Sequence, residues 1–261
     1  MPVPPEQSYI LWFTQRVGSS LLAQALEDTG VAGRPREWLN AANVAEVMQK
    51  HGVATAQELR HQLWRVATTS NGVLGIKYGM VPKLHEELIE LMASVEPEGA
   101  PKNSDWSERA WRQFFPNCRH CFLTRRDKVR LAVSWWRAIK SGEWHRPNRP
   151  DTSVGVVEPK LPGPLIDKYD FHAIRHLLGE CRAREDAIRR QLDAWAIEPL
   201  TIVYEDLVGS FEATVRSVLD FLRVPDARAF TIPQPAFEAL ADGINDAWSE
   251  RFLADRGSLG Q

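Results

Sequence analysis

YILWFTQRVGSSLLAQALEDTG, residues 9–30, is the stretch on which the fold turns. Its first five residues are apolar and aromatic-rich, the composition of a buried strand. Leu21, Leu22, Ala25 and Leu26 then recur at helical spacing, and Gly30 ends the pattern. Between strand and helix lies a polar turn, Thr14-Gln15-Arg16-Val17-Gly18-Ser19-Ser20. A turn that feeds a helix after a strand presents backbone N–H groups at the positive end of the helix dipole. Gly18 lets the backbone approach an anion closely. Ser19 and Ser20 add hydroxyl donors, and Arg16 adds a forked cation. The donor set suits one phosphate or sulfate. Arg16 stands where a Walker loop has its early glycine, and no Gly-Lys-Ser/Thr follows.

Working outward, apolar runs at residues 72–78, 121–124 and 200–204 read as further strands. Helical patterns fall at 19–29, 41–66 with a break near Gly52, 82–92, 127–141, 169–195, 210–222 and around 246–253. This alternation predicts an α/β fold, a central and mainly parallel sheet flanked by helices. Ligands in such folds lie beyond the carboxyl ends of the strands. Residues 96–105 read as a surface loop, and 146–164, with many prolines and glycines, as a long mobile loop. The 261 residues read as one domain.

Composition narrows the function classes. The formal net charge is −2, so no global positive field points to nucleic acid. No run of eighteen apolar residues is present, so no membrane span is expected. No basic and apolar leader opens the chain, and three cysteines do not make a disulfide framework; a cytoplasmic protein is expected. Cys118 and Cys121 form a CxxC at the start of a strand, where neither a zinc site nor a redox motif is expected, and they read as partly buried thiols.

LTRRDKVRLAVSWWRAIKSGEW, residues 123–144, is a second anion-binding candidate. A strand ends in Arg125 and Arg126, a helix opens at Asp127, and Ser134 lies two turns in. Basic charge at a helix N-terminus opposes the helix dipole, and a bound anion relieves that conflict. Glu37, in GRPREWL, follows a proline-stiffened loop near the end of the first strand. Read from the residues alone, a glutamate there is either an ordinary surface carboxylate or a proton acceptor.

Together TQRVGSSLL, TGVAGRPREWL, NGVLGIK, RRDKVRLAVSWWRA and DAWSERF resemble the sulfotransferases that use 3′-phosphoadenosine 5′-phosphosulfate (PAPS), nearest the bacterial trehalose 2-sulfotransferase family. YEDL, residues 204–207, is similar to a segment common to sulfotransferases more broadly. The resemblance spans most of the chain and implies a P-loop-like sulfotransferase fold. It implies that Arg16, Val17, Gly18, Ser19, Ser20 and Leu21 hold the 5′-phosphosulfate. Ser134 and one of the two arginines then hold the 3′-phosphate: alignment to the family favours Arg125, and the eight-residue spacing to Ser134 favours Arg126. Glu37 becomes the catalytic base, Arg16 the stabiliser of developing charge, and Gln15 an acceptor contact. Arg34, Pro35, Arg36, Trp38 and Lys77 become acceptor-side candidates, with Lys77 equally readable as an ordinary strand-end lysine.

Arg34 and Arg36 depart from the family pattern and hint at a more anionic acceptor. Trp135, Trp136 and Trp144 are expected in the core. The stretch EALADGINDAW, residues 238–248, has Leu240, Gly243 and Ile244 where relatives carry basic or amide groups, leaving Arg130 or Arg137 to compensate. The implied reaction moves a sulfuryl group to a hydroxyl of a carbohydrate, a glycoconjugate or another small-molecule acceptor, without metal, releasing the 3′,5′-bisphosphate PAP. The family admits a homodimer. Two alternatives stay open at this point: an ATP-dependent kinase, and a non-catalytic nucleotide-binding domain.

Overall fold

The computed structural model describes residues 3–95, 106–148, 164–224, 229–237 and 243–259. Four strands, β1 (Gln7–Trp12), β2 (Val73–Tyr78), β3 (Cys118–Thr124) and β4 (Leu200–Val203), form one sheet in the order β2-β1-β3-β4. All three pairings are parallel. Successive strand side chains face opposite sides. Tyr9 and Leu11 therefore join one core with Cys121 and Leu123, and Ile10 and Trp12 join the other with Phe122, Leu74 and Ile76. Cys118 and Cys121 fall on opposite faces for the same reason, so they cannot chelate one ion.

Helices cover both faces: α1 (Ser19–Asp28), α2 (Val44–His51), α3 (Ala56–Ala67), α4 (Pro82–Ala93), α5 (Trp106–Phe114), α6 (Lys128–Ser141), α7 (Phe171–Ala194), α8 (Tyr204–Gly209), α9 (Phe211–Leu222) and α10 (Gly243–Leu259). The expected break near Gly52 is a true one. Gly52 ends α2 at φ 64, and a capping box of Thr55 and Glu58 starts α3. Three elements differ from expectation. β3 begins at Cys118, three residues earlier than the apolar run, because Arg119 and His120 pair with β1 despite their polarity. α5 was not foreseen: nine residues carry only Ala110, Trp111 and Phe114 as buried contacts. Tyr204, expected to end the fourth strand, opens α8 instead. Residues 96–105, residues 149–163 of the expected long loop, and Leu240 lie outside the described residues.

The strand order decides where a ligand goes. From β1 the chain crosses outward to β2, then returns to the other side of β1 for β3. That reversal opens a crevice at the carboxyl ends of β1 and β3. The segment carrying Glu37 is laid along β2 by main-chain contacts. Tyr9 Oη donates to the Ala32 carbonyl at 2.6 Å, Gly33 N donates to Thr69 Oγ1 at 3.1 Å, and Lys77 N donates to the Arg36 carbonyl at 3.1 Å. Gly33 sits at φ +71, and a Cβ there would meet Gly75 N at 2.5 Å. Gly30 has a similar φ of +70 and nothing within 4 Å of such a Cβ. Gly30→Ala is thus expected to cost about 1 kcal/mol, for the backbone alone. Gly33→Ala is expected to cost about 3 kcal/mol or more, because β2 must also move. Urea unfolding of the two variants checks this; equal costs would mean the loop does not depend on the close approach.

Candidate active site

A cavity of about 540 Å³ opens at that crevice. Gly18, the N-cap of α1, lies on its wall at φ 77. A Cβ at Gly18 would meet the Tyr204 ring at 2.9 Å, so glycine is needed for space as well as for φ. No side chain caps α1 and no acid lies in its first turn, which leaves its leading N–H groups for an anion. Arg16 adopts φ 66, a left-handed backbone that is unfavourable for a non-glycine residue. It is held there by Nε donating to Ser134 Oγ at 3.1 Å and Nη1 to the Trp144 carbonyl at 2.5 Å. Burial, reinforced by Arg125 and Arg137, brings its pKa down to about 10, so it stays charged at neutral pH.

Lys77 ends β2 beneath the opposite wall and is buried. Its Nζ lies 2.7 Å from Glu37 Oε1 and donates to Ser20 Oγ at 2.8 Å. Asn40 Nδ2 donates to the other Glu37 oxygen at 2.6 Å. Partial burial pushes the Glu37 carboxyl up, but Lys77, Asn40 and His145 outweigh it and hold the group below the ordinary glutamate value. Burial lowers the Lys77 ammonium in turn, against the pull of Glu37. His145 reaches Ser20 Oγ at 3.4 Å and packs on Phe237 with ring centroids 5.0 Å apart. Burial, with Arg16 and Lys77 nearby, brings its imidazole down to about 4, so it is neutral at physiological pH.

The two adjacent arginines separate. Arg125 lines the cavity, with its guanidinium 4.5 Å from the Tyr204 ring centroid. Its buried Nε has no hydrogen-bond partner among the described residues, and Glu205 Oε1 is 3.8 Å away. Arg126 is 60 % exposed, pairs with Asp206 and is absent from the cavity wall. The YEDL segment performs this sorting. Tyr204 supports Arg125, Glu205 accepts from the Arg126 and Asp127 N–H groups, and Asp206 takes the Arg126 side chain.

Of the sequence candidates, Gln15, Arg16, Gly18, Ser19, Ser20, Leu21, Glu37, Lys77, Arg125 and Ser134 line the cavity. Val17 is buried in the core beneath the loop. Arg34, Pro35, Arg36 and Trp38 do not line it. Arg34 reaches the Val66 and Thr68 carbonyls, Arg36 forms a two-point pair with Glu27, and Trp38 donates to the Arg34 carbonyl. The two immediate neighbours of Glu37, Arg36 and Trp38, thus turn away from it, each held by a partner of its own. Arg130 lines the cavity, whereas Arg137 is buried against Glu143. Trp135 and Trp144, expected in the core, both contribute to the wall. Sequence reasoning also missed Arg184, on α7, which has no local motif to mark it.

The sequence profile described as Stf0 sulphotransferase matches residues 8–255. The chain belongs to that family. It is a sulfotransferase, which sets the kinase reading aside. It is 27 % identical to the trehalose 2-sulfotransferase of Mycobacterium tuberculosis, covering 97 % of this chain and 96 % of that protein. Identity to the trehalose 2-sulfotransferase of Mycolicibacterium smegmatis is also 27 %, over 95 % of each chain. A sulfotransferase domain from the Synechococcus PCC 7002 olefin synthase aligns at a TM-score of 0.40 and 13 % identity, over 96 % of this chain and 95 % of that one.

The sulfotransferase's carboxylate has a testable signature. Followed by the NMR shift of its carboxyl carbon, Glu37 should titrate below the usual glutamate range. The stability this pairing contributes is present above the unfolded glutamate pKa and lost as pH falls through the depressed folded value. In Lys77→Met the upward push of burial loses its main opponent, so the midpoint should rise above that of the wild type. A wild-type midpoint at or above that of free glutamate would sink this account of the pair.

Proposed function

We propose that the protein transfers the sulfuryl group of PAPS to a hydroxyl of a carbohydrate acceptor, and that Glu37 is the base. The observation that carries the reading is the Lys77 bridge, which ties Glu37 to Ser20 of the anion loop. Base and donor loop are thereby held at one cavity, as direct transfer between two bound substrates requires. The residues present fit the donor. An uncapped α1 N-terminus and Arg16 suit the phosphosulfate, and the guanidinium of Arg125, which lines the cavity together with Ser134 and Arg130, suits the 3′-phosphate. The trehalose 2-sulfotransferase relatives support a sugar acceptor, as do the aromatic walls at Phe13, Trp144 and Phe237. The three cysteines are free thiols, which supports a reducing compartment such as the cytoplasm.

In this reading the acceptor oxygen attacks sulfur opposite the bridging oxygen of the donor. The S–O bond to the 5′-phosphate breaks, PAP leaves, and the hydroxyl proton passes to Glu37. A carboxylate with a depressed pKa is fully ionised at neutral pH and ready to accept it. Negative charge gathers on the departing phosphate, where Arg16 and the α1 N–H groups are arranged to stabilise it. Lys77 holds the Glu37 carboxylate in place and donates to Ser20 Oγ of the anion loop.

Titration calorimetry with PAP, using 5′-AMP as control, tests the donor. Micromolar PAP binding, far tighter than AMP, is expected. Arg125→Ala should lose about tenfold or more in PAP affinity, and Arg126→Ala about twofold at most. Glu37→Gln should bind PAP normally and lose turnover by on the order of a hundredfold or more. Equal binding of PAP and AMP would remove PAPS from the reading.

A further inference from the structure

Six side chains that are charged at neutral pH line the cavity among the described residues: Arg16, Lys77, Arg125, Arg130, Arg184 and Glu37. Lys77 is matched by Glu37. Arg16 and Arg125 are assigned above to the proposed donor, and Arg130 is paired with Asp246 at 2.7 Å. Arg184 remains. It reaches the cavity from the middle of α7, far from α1 in sequence. Its guanidinium lies 5.2 Å from the Trp135 ring centroid, and Nη1 donates to Gln15 Oε1 at 3.1 Å. The carboxylate facing it, Glu180 Oε2, is at 3.4 Å and is 40 % exposed. Arg184 Nη2 donates to it, a longer contact than the 2.7 Å of Lys77 to Glu37, and the guanidinium still lines the cavity.

A neutral sugar needs hydroxyl acceptors and donors but no surplus cation. A fixed, stacked guanidinium is suited to a planar carboxylate or a phosphate ester. We infer that the acceptor is an acidic carbohydrate whose anionic group is bound by Arg184, with Gln15 and Trp135 holding the guanidinium in place. The inference rests on the proposed carbohydrate acceptor and gives it a charge. It also relocates the anionic preference that Arg34 and Arg36 hinted at in the sequence, since both turn away from the cavity.

Calorimetric titrations of glucose, glucuronate and glucose 6-phosphate test it, each into the protein alone and into protein loaded with PAP. At least one of the two anions should bind about tenfold or more tightly than glucose, the scale of one charge-assisted hydrogen bond. The two anions distinguish a carboxylate from a phosphate ester. Arg184→Gln should bring the ratio to within about twofold, and Arg184→Lys should restore part of it, since lysine keeps the charge and loses the fork. If Arg184 only supports Gln15 and Trp135, the Gln variant will weaken all three sugars alike, and the proposal fails. It also fails if no anionic sugar binds, if anions and glucose bind equally, or if the preference survives Arg184→Gln. A preference for glucose 6-phosphate alone that vanishes with PAP marks binding in the donor site, and this too overturns it. Failure of PAP to bind would instead overturn the donor reading, and the titrations without PAP would still decide the acceptor's charge.

Discussion

A buried ammonium must find partners, because a charge taken out of water without one costs several kcal/mol. Lys77 is that charge, and its partners are Glu37 and Ser20. Satisfying it draws three separate pieces of chain to one point: the end of β2, the segment after α1, and the first turn of α1. The close passage of Gly33 over Gly75 is the steric condition for it. A side chain at Gly33 would push the Glu37 segment off the β2 backbone, and one at Gly75 would displace the Tyr9 ring whose Oη holds the Ala32 carbonyl.

Around this point the cavity is built from cations that each have a second line of support. Arg16 leans on Ser134 and a carbonyl, Arg125 on Tyr204, Arg130 on Asp246, and Arg184 on Gln15 and Trp135. The supports named for Arg16, Arg125 and Arg184 are neutral, and that of Arg130 is a carboxylate at 2.7 Å. A protein of net charge −2 thereby presents a locally positive crevice. The α8 segment is the clearest case. Three consecutive residues, Tyr204, Glu205 and Asp206, grip the turn between β3 and α6 and turn one arginine inward and its neighbour outward.

Much of the fold was legible locally. The apolar runs, helical spacings and punctuating glycines marked the four strands and most helices, because these signals depend on residues close in sequence. α5 was missed because its buried face of Ala110, Trp111 and Phe114 lies on a helix of only nine residues, shorter than the stretch over which helical spacing is read, and the start of β3 was hidden because Arg119 and His120 are polar strand residues. The loop at Gly18, with its two serines and arginine, was likewise readable, since phosphate-type turns are local constructions.

Residues close together in the chain already carry the α/β layering, the anion loop opening α1, the candidate carboxylate Glu37 and the family to which the chain belongs. Which side chains share the cavity is settled by the packing of distant segments. Arg125 rather than Arg126 enters it, Arg34, Arg36 and Trp38 leave it, and Arg184, Trp144 and His145 join it. Most of these choices are made by contacts across tens of residues or more, such as Arg126 to Asp206, Arg34 to Thr68 and Arg184 to Gln15, whereas Arg36 and Trp38 are drawn off by the nearer Glu27 and Arg34. Such contacts have no local periodicity, and they exist only once the strand order brings β1, β2 and β3 to one edge.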